Sequence, residues 1–293
     1  MRKRHIFLVL KLLFIVTSLV FVFWQADAVK IWGYLKTTNP LYLLLSCIIM
    51  GFAQIVSAYR MRFYYRNEQL KLGRIFSVGL YFTSMLFNTI LPGGIGGDGY
   101  KIYTIGRLTG FSHLRALKIA VSERASGLFA LLVLTGIFYI YADFGEIIPY
   151  QTYVVAALGI LVVPAYFIST AIILKETAGT SCGAMAYSIP TQLLNAAVAM
   201  VLLAGIGLDM SDSGTVMAYL VIFMLSSVAA ILPVTIGGAG LREITFLYGA
   251  KLTGLDAEQG ITLALLFFIV NTICSLNGLF FWHRLDKLFH KKI

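Results

Sequence analysis

Of 293 residues, 59% are hydrophobic and only 12% charged, with a mean hydropathy of +0.86. So few charges cannot cover a water-soluble surface, which excludes an ordinary soluble domain and leaves a multispan, all-α membrane protein. The net charge of +10 comes from Lys and Arg gathered at the ends of apolar stretches, where they orient helices and meet anionic headgroups, so it gives no reason to expect nucleic acid as a partner.

In chain order, Met1-Arg2-Lys3-Arg4-His5 leads into an apolar run over 6–24 that ends near Ala26-Asp27-Ala28. At roughly 19 residues this run is long for a cleaved signal peptide and suits a retained signal-anchor helix. Further runs of spanning length follow at 41–63, 117–141, 152–174, 184–204 and 261–282, giving six expected spans. Two other apolar runs, 75–91 and 216–232, stop at Leu-Pro and a glycine cluster before a shorter piece begins.

Those two stops are the same phrase. Residues 91–102 read LPGGIGGDGYKI and residues 232–243 read LPVTIGGAGLRE, 141 positions apart, with Lys101 and Arg242 in register. The offset also carries 6–24, 41–63 and 117–141 onto the later spans, so residues 1–142 and 143–293 form two repeats within one integral membrane domain.

Flanking charge gives each break a side. Arg60, Arg62, Arg66, Lys71 and Arg74 precede the first break and Lys101, Arg107, Arg115 and Lys118 follow it, so both flanks are expected in the cytoplasm. A segment that leaves and returns on one side is a re-entrant hairpin. The second break enters past Asp209 and Asp212, and the basic tail with Arg284, Lys287, Lys291 and Lys292 is consistent with entry from outside. The expected fold is therefore an inverted-topology repeat of span, span, hairpin, span, with both termini cytoplasmic. In that architecture two discontinuous elements meet near mid-bilayer and build a site that each face reaches in turn.

The breaks suggest a chemistry. Short helices are expected to restart near Asp98 or Gly99 and at Gly240, where free N–H groups and glycine backbone attract anions. Lys101 and Arg242 lie about one turn further on. Glu123 and Arg124 lie in the following span and Glu243 adjoins Arg242; charges at such depth are paired or functional. Pairing of Glu123 with Lys101 or Arg124, and of Glu243 with Arg242, is the structural expectation, while a protonatable Glu123 would suit proton coupling. Gln192 and Asn195 in the fifth span, with Asn88 and Asn271, are candidates to line a polar cavity.

Other chemistries lack their signatures. Gly94, Gly96 and Gly99 have dinucleotide-loop spacing but no strand precedes them, and no Gly-Lys-Ser/Thr follows to make a P-loop. Cys47, Cys182 and Cys274 are far apart in apolar segments, and His5, His113, His283 and His290 sit beside basic residues at membrane edges. No disulfide framework, metal site or cofactor is expected, nor is a catalytic constellation.

On LPGGIGGDGYKIY, the downstream ERASGL and the second LPVTIGGAGLRE, nearly the whole chain resembles the flippase-like membrane region of lysylphosphatidylglycerol synthases. It is similar to stand-alone members without the soluble aminoacyltransferase domain. The resemblance implies translocation of a membrane lipid with an anionic or phosphate-bearing headgroup across a prokaryotic cytoplasmic membrane. Carried over by position, the substrate-binding residues are Pro92, Gly93, Gly94, Gly96, Gly97, Asp98, Lys101, Glu123, Arg124, Pro233, Gly237, Gly238, Gly240, Arg242 and Glu243. Ala239 stands where the first copy has Asp98, so the halves are not chemically equivalent. The alternative is a membrane enzyme, or an accessory subunit of a lipid-modifying enzyme or glycosyltransferase, acting on a lipid headgroup or a polyprenyl-phosphate-linked glycan. Self-association is open.

Overall fold

A computed structural model of the chain describes residues 17, 20–91, 95–144, 150–231 and 238–290. Among them every regular element is helical: α1 (Ala28–Thr37), α2 (Pro40–Asn67), α3 (Arg74–Ile90), α4 (Gly96–Thr109), α5 (His113–Tyr141), α6 (Gln151–Ile172), α7 (Ala178–Gly205), α8 (Ser213–Ala229), α9 (Leu241–Thr253), α10 (Ala257–Ser275), α11 (Asn277–Trp282) and α12 (Leu285–His290).

The helix starts follow local chemistry. Asp27, Asn39, Asp212 and Asp256 accept from backbone N–H groups of the turns they precede, which satisfies donors that a helix start leaves free. Pro40 adds a preset φ at the first position of α2. Both short helices that follow a break, α4 and α9, end at a left-handed glycine, Gly110 at φ 68° and Gly254 at φ 71°, a conformation that costs other residues.

Five stretches are long and apolar enough to cross a membrane: α2, α5, Val155–Ile172 of α6, α7 and Ala257–Trp282. They coincide with the second to sixth expected spans. The first, 6–24, lies outside the described residues apart from a helical stretch that begins at residue 20. Helix α1, which the hydropathy pattern does not announce, buries Ile31 and leaves Val29 and Trp32 exposed.

Helices α3 and α8 have 17 residues each, about 26 Å at 1.5 Å per residue, short of a hydrocarbon core of about 30 Å. Each is followed by its break and a helix of 14 or 13 residues that packs back against it. A Cβ on Gly97 would fall inside the Ser84 carbonyl of α3, so only glycine lets these limbs approach so closely.

At the centre α2 and α7, whose sequences the 141-residue offset brings into register, share the most extensive interface. Helix α5 of the first half packs on α8 of the second, while α10 and α11 of the second pack on α3 of the first. The contacts between halves thus recur with the halves exchanged. Cys47 and Cys274, far apart in sequence, are brought together by the α2–α10 packing, where the Cys274 thiol donates to the Cys47 carbonyl at 3.4 Å. Sequence distance, 227 residues, conceals that contact.

Candidate functional site

A cavity of about 320 Å³ opens where α2, α3, α4, α5, α7, α8, α9 and α10 converge. Its walls carry Arg60, Lys101, Arg124 and Arg242 against Asp98 and Glu123, an excess of two positive charges among the described residues.

The first half supplies a closed ionic chain. Lys101 Nζ lies 2.7 Å from Glu123 Oε2 and 3.0 Å from Asp98 Oδ1, and Arg124 Nε donates to Asp98 Oδ2 at 2.7 Å. Asp98 and Lys101 are one turn apart on α4, while Glu123 and Arg124 are neighbours on α5, so the chain ties the post-break helix to the next long helix. Lys101 and Glu123 are each 5% exposed, and Glu123 Oε1 has no hydrogen-bond partner. Four charges here sum to zero.

The second half is built differently. Arg242 Nη1 donates to Ser227 Oγ at 3.0 Å, and its guanidinium lies 4.9 Å from the Phe267 ring centroid and 5.7 Å from that of Phe223. Among the described residues no carboxylate lies within ion-pair distance of Arg242. Gly238, at φ 89°, leaves the space its side chain crosses, since a Cβ there would stand 3.0 Å from Arg242 Nε and 2.7 Å from the Ala230 Cβ.

Glu243 corrects the expected pairing with Arg242 and its expected place in the site. Its Oε2 accepts from the Gly240 N–H at 2.6 Å, its residue is 1% exposed, and it is absent from the cavity wall. A carboxylate three residues into a helix reaches back to the cap more readily than to its sequence neighbour, which points about 100° away. The first break is closed similarly: Asn88 Oδ1 of α3 accepts from the Gly97 N–H at 2.8 Å. The chain thus uses its own side chains at both helix starts where an anion was expected on the backbone.

Of the remaining expected residues, Asp98, Lys101, Glu123, Arg124 and Arg242 all reach the cavity, with Asn88, Gln192, Asn195 and Asn271. Gly96, Gly97, Gly238 and Gly240 shape the breaks without lining it. Pro92, Gly93, Gly94, Pro233 and Gly237 lie outside the described residues.

Arg60 is the main residue that sequence reasoning misplaces. Counted there as a flanking cytoplasmic charge, it is 8% exposed and lines the cavity. Its Nη1 donates to Ser188 Oγ at 2.9 Å, while Nε has no partner. The missed signal is spacing, because Gln54, Ser57 and Arg60 recur every three residues along one face of α2 and all line the cavity.

Residues 8–278 match the family described as the lysylphosphatidylglycerol synthase TM region. The chain belongs to that family. A comparison with curated proteins gives no match. Membership in the lysylphosphatidylglycerol synthase TM-region family makes this a multi-pass membrane protein with a lipid-related role, and it places the cavity in a domain whose surroundings are lipid.

Proposed function

We propose that this protein is a lipid flippase of the cytoplasmic membrane of a prokaryote. It binds an anionic or phosphate-bearing headgroup in the central cavity and exposes it to the two faces in turn. The observation that carries this reading is the cavity itself, a polar chamber with excess positive charge set among helices that can span a membrane. Buried charge of this kind is costly in a bilayer and is retained where it serves a substrate path.

Two features support the transport step. The interrupted pairs α3–α4 and α8–α9 both contribute to the cavity, and the contacts between halves recur with the halves exchanged, as suits an inverted repeat with two re-entrant hairpins. A lipid also needs room for its chains. An apolar cleft of about 390 Å³ runs between α5, α6, α8 and α9 beside Gly136, Gly159 and Gly249. It shares α5, α8 and α9 with the polar cavity, which supports a lipid chain lying alongside the headgroup site.

The test is lipid scrambling in proteoliposomes. Fluorescently labelled phosphatidylglycerol should reach the opposite leaflet faster than in protein-free vesicles, as measured by dithionite quenching, and Arg242→Gln should slow it. Rates equal to empty vesicles across phosphatidylglycerol, phosphatidic acid and a polyprenyl phosphate would defeat the transport reading.

A further inference from the structure

The cavity wall carries six ionisable side chains that are not equivalent. Asp98, Lys101, Glu123 and Arg124 form a neutral ionic chain. Arg60 and Arg242 remain, one from each half of the protein; among the described residues Arg60 bonds the Ser188 hydroxyl, and Arg242 bonds the Ser227 hydroxyl and lies over aromatic faces. Among the described residues neither has a carboxylate within 4.0 Å, and the break segments 92–94 and 232–237 contain no acidic residue. Arg60 is more than nine-tenths buried with Nε unpartnered, and Gln54 Oε1 on the same face of α2 is also unpartnered.

We infer that Arg60 and Arg242 are the anion-binding pair of this cavity, that their ligand is a phosphate or phosphodiester group, and that Lys101 belongs to a structural ionic chain instead. This inference rests on the proposed lipid-handling role and specifies its site. Among the described residues the buried Arg60 and the half-buried Arg242 have no carboxylate at ion-pair distance, which is costly without a bound anion, and an anion carrying oxygens on two sides relieves both at once. Guanidinium offers a planar fork that matches phosphate oxygens in pairs, whereas an ammonium already bonded to two carboxylates has little left to give. Gln54 and Asn195, equivalent by the 141-residue offset and both in the cavity wall, add polar groups suited to a headgroup's hydroxyls or amines. Arg242 also reaches its position only because Gly238 leaves room.

Thermal melting of the full chain in detergent or nanodiscs tests the assignment, with inorganic phosphate, glycerol phosphate, dihexanoyl-phosphatidylglycerol and dihexanoyl-phosphatidylcholine as probes. The phosphatidylglycerol should raise the melting temperature of the wild type. A matching response to inorganic phosphate would identify a soluble anion as the ligand, and a response to the short-chain lipid alone would identify a headgroup. Arg60→Gln and Arg242→Gln should each weaken the response at least tenfold in half-saturating concentration, while Arg60→Lys and Arg242→Lys recover part of it.

In the absence of anion the Gln variants should melt no lower than the wild type, because each removes a charge that has no carboxylate at ion-pair distance among the described residues. A purely structural Arg60 predicts the reverse: a lower melting temperature and an intact anion response. That result, or a wild type that responds to none of the anionic probes, overturns the inference. Scrambling without anion stabilisation would defeat this site while leaving transport standing, and anion stabilisation without scrambling would do the opposite.

Discussion

Replacing Lys101 with Met removes the centre of the ionic chain, and the structure says where the cost falls. Asp98 keeps its bond from Arg124 at 2.7 Å, but Glu123, 5% exposed and with Oε1 already unpartnered, loses the 2.7 Å bond from Lys101 to Oε2. Stranding one partner of a buried pair costs about 3–5 kcal/mol. Glu123→Gln alone is milder, about 1–2 kcal/mol, since the amide oxygen still accepts from Lys101 and Asp98 still neutralises it at 3.0 Å. The double variant Lys101→Met/Glu123→Gln strands no charge on either helix. It should therefore cost about 1–2 kcal/mol, against a sum of single effects near 4–7, a coupling of about 3–5 kcal/mol. Equilibrium unfolding in mixed micelles of the four proteins gives this cycle directly. Additivity within about 0.5 kcal/mol would refute the ionic chain as a coupled unit.

Gly97→Ala and Gly99→Ala make a matched pair on one helix. The first drives a methyl into the α3 backbone and should lower the melting temperature steeply or prevent folding, whereas Gly99 has nothing within 4 Å of its Cβ position and should tolerate the change. Equal effects would show that the limbs do not meet at Gly97. At the α1–α10 corner, burial works against the charge on Asp256, but hydrogen bonds led by that from Lys30, at 2.7 Å, hold its carboxyl down at about 2. A depressed folded value stabilises above the unfolded pKa near 3.9 and loses that contribution as pH falls toward 2. The melting difference between wild type and Asp256→Asn should accordingly be constant from pH 7 to about 4 and narrow below it; a gap that stays unchanged down to pH 3 would remove the Lys30 clamp from the account.

The helix breaks are legible because each joins a Pro to clustered Gly, whereas the lone Pro164 and Pro190 stay inside α6 and α7. The cavity was half legible. Lys101, Glu123, Arg124 and Arg242 stand out as charges inside apolar sequence, yet Arg60 does not, because it begins a basic run that continues through Arg62 and Arg66. Depth separates them: α2 extends to Asn67, so Arg60 lies about 10 Å in from that end at 1.5 Å per residue. Sequence position orders charges along a chain, while burial depends on the neighbours of each helical face, and here those neighbours come from α7, 128 residues away at Ser188. The fate of Glu243 was hidden for a related reason. Whether a carboxylate takes a cation or an N–H depends on local reach, and the Gly240 N–H is nearer.

A duplicated chain whose halves remained alike would carry a carboxylate beside both post-break cations, but Ala239 stands where Asp98 stands, and Ala264 and Leu265 stand where Glu123 and Arg124 stand. The second half has the cation without its partners, which leaves Arg242 available for an external anion. Ala239→Asp places an acid at the position equivalent to Asp98, three residues before Arg242, although here it precedes the α9 start at Gly240 instead of sharing a helix with the cation. If the charge on Arg242 is what the cavity offers an anion, this single change should stabilise the protein without ligand, since it brings a carboxylate toward a half-buried cation. It should also raise the half-saturating concentration of dihexanoyl-phosphatidylglycerol at least tenfold, about 1.4 kcal/mol of binding. Ala239→Asn, similar in shape but uncharged, should leave that concentration within about threefold of the wild type, under 0.7 kcal/mol. Were Ala239→Asp and Ala239→Asn to weaken the lipid equally, shape and not charge at position 239 would govern binding, and the asymmetry between the halves would lose its electrostatic meaning.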